Sequence, residues 1–232
     1  MALEEVIQSL WVSGKLSPME HLSISSYLRH GHEFHLYTYE PVDNIPPGTI
    51  VKDANSIIPL DMYDPKDFTS LALFSDFFRY KLLLDCGGWW SDTDAVCMHT
   101  FDFDSPYVFS SEDTKEDGWQ VNGGTIKAPK NSDVMAYCWR RCLDTDPHTE
   151  LWGVCGPTLI AQAVKKMWLV RYVQAPHIFC SVPWWMVWDF KDLAFKPDPL
   201  AYAVHLWNAM WIQEQMDKSL IPTSLKEAAY GS

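Results

Sequence analysis

An apolar run with helical spacing extends from about Asp67 to Cys86 and stops at Gly87-Gly88, after which the chain reads Trp-Trp-Ser-Asp-Thr-Asp-Ala-Val. Apolar residues that return every three or four positions make one long helix, and the paired glycines close it. The residues beyond the glycines read as a strand as far as the two aspartates. A helix joined to a strand through so tight a turn confines the chain to folds in which helices lie directly on a sheet. It also delivers two carboxylates to one strand end, where they repel each other unless a cation sits between or beside them.

The rest of the chain alternates in the same way. Val6–Val12 reads as a strand, and Ser17 caps a helix with Pro18 at its first position, ended by Gly31. Glu33–Tyr39 follows as a strand, N-I-P-P-G as a turn, and the segment from Thr49 to Ile58 holds another short strand. Y-V-F-S-S-E and G-W-Q-V-N-G-G-T-I-K-A suggest two more strands, while helices cover Ser132–Asp144 and Pro157–Trp168. Arg171–Phe179 and Ala201–Trp207 read as extended, and a last helix runs from about Ala209 to Leu220. Strands alternating with helices indicate an α/β protein with a mainly parallel central sheet flanked by helices. No repeat, low-complexity stretch or linker interrupts the pattern, so residues 1–232 read as a single domain, long enough to bury a sizeable core.

Charge narrows the partners. With 18 Lys and Arg against 30 Asp and Glu, the formal net charge is −12, which argues against a nucleic-acid partner because phosphate neutralisation needs clustered cations. A phosphorylated ligand would need a few well-placed basic residues or a metal. The six cysteines, Cys86, Cys97, Cys138, Cys142, Cys155 and Cys180, form no C-x-x-C pair, so neither a zinc ribbon nor a thioredoxin-like site is indicated. The first residues lack the basic and apolar regions of a signal peptide, and no run approaches a membrane span. The expectation is a soluble, reduced, cytoplasmic protein with no integral membrane segment.

Asp92-Thr93-Asp94 carries the chemistry. In an extended segment, residues two apart point to the same face, so both carboxylates can reach one ion. Oxygen ligands suit Mn²⁺ or Mg²⁺, which take one or two carboxylates and complete their shells with phosphate oxygens and water. Alone, the same triplet also fits an acidic turn facing solvent. His30, His32, Glu33 and His35 lack the H-E-x-x-H spacing that would set two imidazoles on one helix face, so zinc is not indicated there.

The flanks of the triplet add to this. Ser75, Asp76, Arg79 and Tyr80, then Gly87, Gly88, Trp89 and Trp90, then Asp92 and Asp94, resemble the Asp-x-Asp sugar-nucleotide glycosyltransferases, the family of the yeast initiating α-1,6-mannosyltransferase and the α-1,4-galactosyl- and N-acetylglucosaminyltransferases. Weaker matches follow at S-L-W-V-S-G, V-N-G-G-T-I-K-A-P, G-V-C-G-P-T-L and A-V-H-L-W-N-A-M-W, so that the resemblance touches most of the chain. It implies a GT-A-type, Rossmann-like fold, a nucleotide-sugar donor with UDP favoured, a divalent metal, a saccharide acceptor and retention of anomeric configuration.

Carried over by position, Asp94 would ligate the metal directly, and Asp92 would contact the ribose or reach the metal through water. Asp76 and Arg79 would face the donor sugar and phosphate; the same pair at i,i+3 also fits a helix-surface ion pair. His205 would be a third metal ligand, although a strand histidine also fits a satisfied core position. Trp11 and Val12 would hold the nucleoside base, and Asn122 would lie beside the sugar. The family's tail has His followed by Ser-Trp, whereas this chain has H-L-W-N-A-M-W, which leaves Asn208 and Trp211 as the candidates for closing over the diphosphate. A lipid-linked acceptor would place such an enzyme in peripheral association with a membrane.

Two other classes fit parts of the pattern. D-T-D-A-V also matches the signature of haloacid-dehalogenase-like phosphatases, with Asp92 as nucleophile and Asp94 as acid/base, but no later Gly-Asp-x-x-x-Asp pair follows. A non-catalytic sugar-nucleotide-binding protein would retain the donor residues without turnover.

Overall fold

The computed structural model describes residues 6–12, 14–116, 118–149 and 153–231; Ser13 of the S-L-W-V-S-G segment lies outside them. The first strand, β1 (Ile7–Trp11), leads into helix α1 (Pro18–Arg29), followed by β2 (Phe34–Thr38) and β3 (Ile50–Asp53). Helix α2 (Leu71–Cys86) then passes into β4 (Gly88–Ser91) and β5 (Ala95–Cys97). A long hairpin, β6 (Val108–Thr114) and β7 (Gly118–Ala128), precedes α3 (Asp133–Leu143) and α4 (Leu159–Lys166). The chain ends with the short α5 (Pro176–Phe179), β8 (Ala203–His205), α6 (Asn208–Gln213) and α7 (Thr223–Tyr230).

Six strands form a sheet in the order β3-β2-β1-β4-β7-β6. The first four run parallel, and β7 and β6 complete the sheet antiparallel. In β1, Ile7 lies opposite Trp89 and Gln8 opposite Trp90, which sets the ends of β1 and β4 at one edge. Phe74, Phe77, Phe78 and Tyr80 of α2 bury a large aromatic cluster together with Trp90, α3 and α4. A second cluster gathers Tyr27, Phe34, Trp89, Phe101 and Phe179, and a third joins α1 to Phe190, Trp211 and Leu225.

Local chemistry fixes the boundaries. The Ser17 backbone N–H donates to Glu20 Oε2 at 2.7 Å at the start of α1, the reciprocal half of a capping box. Ser70 Oγ accepts from Leu73 N at 3.1 Å, so α2 begins at Leu71 rather than near Asp67. The residues expected to open it, Pro65–Asp67, form a separate 3-10 turn whose Asp64 side chain accepts from Lys66 N. At the other end Gly87 has φ 69°, and a Cβ there would stand 2.5 Å from Lys130 N, so glycine is required on both counts.

Four further expectations change. Asp92-Thr93-Asp94 is a turn between β4 and β5, closed by Ala95 N donating to Asp92 O at 3.1 Å, and not a continuation of the strand. Beyond it, β5 pairs antiparallel with β8 in a small second sheet that the sequence pattern did not suggest. Arg171–Phe179 is largely helical, as a 3-10 turn at Val170–Tyr172 and as α5 with Pro176 in its first turn; only Val173 bridges to Phe109. The expected last helix stops at Gln213, and α7 follows it unannounced.

Candidate functional site

The turn after β4 and the strand β8 meet at one end of the main sheet. Leu206 N donates to Asp94 O at 2.8 Å, and Asn208 N donates to Asp94 Oδ2 at 2.7 Å. His205 Nε2 lies 3.2 Å from Asp94 Oδ1 and 4.0 Å from Asp92 Oδ2. Asp92, Asp94 and His205 each present a ligand atom within 4.8 Å of the others, and they are the sole such group among the described residues. Trp207, at φ 61°, lays its ring 4.0 Å from that of His205 and donates its Nε1–H to Val182 O at 2.7 Å. Two carboxylates and one imidazole at this separation fit a divalent cation.

The other side of the turn is built by α2. Arg79 Nη2 lies 3.4 Å from Asp76 Oδ1 and 3.2 Å from Asp92 Oδ1, and Nη1 donates to Gly123 O at 2.5 Å. Its guanidinium also sits 5.1 Å from the Trp90 ring, and Trp90 Nε1 donates to Asp92 Oδ1 at 2.8 Å. Arg79 and Asp76 are both buried, so the pair is no surface ion bridge. A planar fork that reaches two carboxylates and a carbonyl at once uses geometry that lysine lacks.

Electrostatics divide the two aspartates. Burial raises Asp92 above the usual carboxylate range, with Asp94 adding to the effect and Arg79 and His205 opposing it. Burial also acts to raise Asp94, but the His205 charge, its hydrogen bond and the Asn208 N–H outweigh it and leave Asp94 low. For His205 burial acts downward, yet Asp94 carries it well above the ordinary imidazole value. Asp76 is pushed up to about 6 by burial, against the pull of Arg79.

Three glycines and one relay complete the site, and sequence reasoning did not assign their roles. A Cβ at Gly123 would come 2.5 Å from Arg79 Nη1, and one at Gly156 would come 2.9 Å from Asp76 Oδ2. At Gly124 it would meet Asn122 Oδ1 at 2.7 Å, His205 Cε1 at 3.1 Å and Asp92 Oδ2 at 3.3 Å. The glycines in N-G-G-T and C-G-P were visible in the sequence, but what they make room for is set by contacts across the fold. Buried Glu112 accepts from Asn122 Nδ2 at 3.1 Å, Asn122 Oδ1 accepts from Gly124 N at 2.5 Å, and Gly124 O accepts from Asp92 N at 2.8 Å. These bonds lead from Glu112 on β6 to the acidic turn, and Gln120 Nε2 secures the far end with a 2.6 Å bond to Glu112.

The structure therefore brings Asp76, Arg79, Asp92, Asp94, Asn122, His205 and the Asn208 backbone together. Trp11 and Val12 lie at the same end of the sheet, one packed on the second cluster and the other on the first, and the buried Trp11 Nε1 has no partner among the described residues. Trp211 does not join them; it is buried in the third cluster, 6.2 Å from Phe190 between ring centroids, and holds α6 in place. The histidine cluster is dispersed: His32 Nε2 accepts from Phe101 N, and His35 pairs with Glu33.

No protein-family model matches this chain, and neither does any curated protein. Among solved structures it is similar to the PaToxG glycosyltransferase, at 14% identity and a TM-score of 0.51 over 71% of this chain and 70% of that one. It is also similar to the glycosyltransferase GlyE of Streptococcus pneumoniae TIGR4, at 14% identity and a TM-score of 0.48, covering 96% of this chain but 63% of that one. The first likeness shows the fold: a mixed α/β, GT-A-like arrangement of a mostly parallel sheet between helices. Among the described residues no helix is long and apolar enough to cross a membrane.

Proposed function

We propose that this protein is a metal-dependent, retaining glycosyltransferase that moves a hexose from a nucleotide-diphosphate sugar, UDP-sugar favoured, to a glycan or lipid-linked saccharide. Residues 1–232 form one such domain in this reading. The observation that carries it is the convergence of Asp92, Asp94 and His205 within 4.8 Å at the sheet edge, with Arg79 bonded to the same turn. The retaining outcome and the donor class rest on the resemblance of the Ser75–Asp94 block. Cys86, Cys97, Cys138, Cys142 and Cys180 as thiols fit a reducing compartment, and we place the enzyme in the cytoplasm.

Asp92, Asp94 and His205 are the residues that hold the cation. When bound, Mn²⁺ or Mg²⁺ offsets the charge that builds on a leaving diphosphate. The chain's own groups do the rest. Arg79 sets a permanent positive charge beside Asp92 in a buried site, where such a charge counts for more than in water. Asp76, ionised above pH 6, accepts hydrogen bonds from sugar hydroxyls, and Asn122 borders the same space. The Nε1–H of Trp11, unpartnered among the described residues, and Val12 beside it offer a donor and an apolar surface to the nucleoside base. Asn208 lends its backbone N–H to Asp94 and keeps its Oδ1, buried and without a partner among the described residues, for the diphosphate end of the ligand or its cation. Trp211 acts from behind by packing α6. No side chain is assigned as catalytic base; the departing phosphate oxygen takes the acceptor proton on the same face.

The test is a nucleotide-sugar panel with Mn²⁺, scored for slow donor hydrolysis in the absence of acceptor. Hydrolysis of at least one donor, lost on EDTA treatment, is the expected result. Phosphate release from simple phosphomonoesters that disappears in Asp92→Asn would instead assign the phosphatase chemistry, and donor binding without turnover would assign a non-catalytic carrier.

A further inference from the structure

Residues 151–188 contain no Asp or Glu, in a chain that has 30 of them and a formal net charge of −12. The lysines and arginines within that stretch are Lys165 and Lys166, in the last turn of α4, and Arg171, in the 3-10 turn that follows, and all three are exposed. There Trp168 N donates to Lys165 O at 3.2 Å and Leu169 N to Val164 O at 2.9 Å, the bond pair of a helix stop whose first outside residue is left-handed. That residue is Trp168, at φ 59°, where glycine is the unstrained choice. The turn sends Leu169 onto the first core cluster and leaves Trp168 86% exposed, the most exposed large apolar side chain among the described residues. Val170 follows at 48% exposure. Lys166 Nζ stands 4.4 Å from the Tyr137 ring, and Arg171 Nη2 donates to the Tyr172 hydroxyl at 3.0 Å, so two of the cations are held in place by neighbouring aromatics.

A strained backbone that presents an indole to water makes sense when something covers the indole. The surrounding charge says what. Three cations along a stretch of chain without acids attract anions, although the whole chain is acidic and would be repelled by them. Tryptophan favours the headgroup level of a bilayer, and basic residues beside it face lipid phosphates. A nucleic-acid partner would need a longer track of cations than three.

We propose that the end of α4 docks on an anionic membrane surface, with Trp168 and Val170 entering the headgroup region and Lys165, Lys166 and Arg171 facing the lipid phosphates. The docking stands independently of the transfer reaction. Its consequence for that reaction is positional. Helix α4 starts three residues beyond Gly156, which abuts Asp76, so eight helical residues separate the donor side of the site from the lipid surface. An acceptor carried on a lipid would arrive from that side.

Sedimentation of the full chain with vesicles tests this, using phosphatidylcholine alone or mixed with phosphatidylserine. The wild type should partition into the mixed vesicles and stay free of the neutral ones. Lys165→Gln combined with Lys166→Gln should lower that partition about 30-fold. Trp168→Gly should lower it too while raising Tm, because glycine relieves the left-handed turn; a purely structural tryptophan would not lose lipid binding and gain stability together. Trp119→Ala, which removes an exposed ring elsewhere, should leave partition unchanged. A wild type that remains in the supernatant with both vesicle types overturns the proposal, and so does lipid binding that Trp168→Gly and the double lysine variant both retain.

Discussion

Asp92 and Asp94 stand two residues apart in one turn, yet the fold treats them in opposite ways. Asp92 belongs to the α2 half of the site: Arg79 and Trp90 hold it, Gly124 fixes its backbone, and burial keeps its carboxyl harder to ionise than usual. Asp94 belongs to the β8–α6 half, where His205 and the Asn208 N–H overcome burial and make it easier to ionise. Carboxylates driven apart in this way take different tasks. In the proposed reading the firmly charged Asp94 would ligate the cation, and Asp92, held by Arg79, would help to keep it there.

The largest expected effects separate these halves. Asp94→Asn should cut donor turnover by about 10³-fold or more and lower Tm, because it removes the group whose charge the fold stabilises. Asp92→Asn should cost about 10²-fold in turnover and leave Tm unchanged or raised, since it removes a carboxylate that burial disfavours. Thermal unfolding beside donor hydrolysis reads both quantities, and equal Tm losses in the two variants would erase the distinction.

Arg79→Ala breaks the α2 half outright. It strands Asp76 and Asp92 in a buried space, so stability should fall by about 3–5 kcal/mol, measured by denaturant unfolding. Arg79→Lys should restore most of that stability, but turnover should stay about 10²-fold low, because an ammonium cannot span Asp76, Asp92 and the Gly123 carbonyl together.

Adjacent glycines probe the halves one at a time. Gly124→Ala intrudes on His205 and Asp92 and should weaken Mn²⁺ binding about 10- to 100-fold. Gly123→Ala intrudes on Arg79 and should raise the donor KM with Mn²⁺ affinity intact. Glu112→Gln replaces an acceptor by an amide at the far end of the relay to Asp92, and about a 10-fold loss of turnover with little change in Tm is expected.

A pH slope tests Asp76 by itself. Asp76 is raised from 3.8 to about 6, so the folded state binds its proton more tightly than the unfolded chain. Its contribution, about 3 kcal/mol, is present in full below about pH 4 and is lost as pH rises through about 6. Asp76→Asn should therefore flatten the fall in stability across that window, as followed by urea unfolding at successive pH values.

The α2 half was largely legible in the sequence and the β8–α6 half was not. Around Arg79 the signals are local: Ser70 and Gly87 bracket one helix, aromatic spacing marks its buried face, and Asp92 follows within six residues. Even there the sequence carries the strand only as far as the aspartates, and the turn they form is closed across the fold by Asp92 N donating to Gly124 O. The other half depends on contacts more than 100 residues apart in sequence, such as Asn208 N to Asp94 Oδ2. Its elements are short, interrupted by Pro176, Pro183, Pro197, Pro199 and Pro222, and carry no periodic pattern. Family resemblance alone points to His205 and Trp211, and the Trp211 ring packs a core that only the fold reveals.

The most direct test of the central claim is a Mn²⁺ titration followed by electron paramagnetic resonance, with no donor or acceptor present. One saturable site is expected in the wild type, lost in Asp94→Asn, weakened in His205→Ala and retained in Arg79→Lys. Wild-type protein that leaves the free Mn²⁺ signal unchanged, or Asp94→Asn protein that binds as tightly as the wild type, would contradict it.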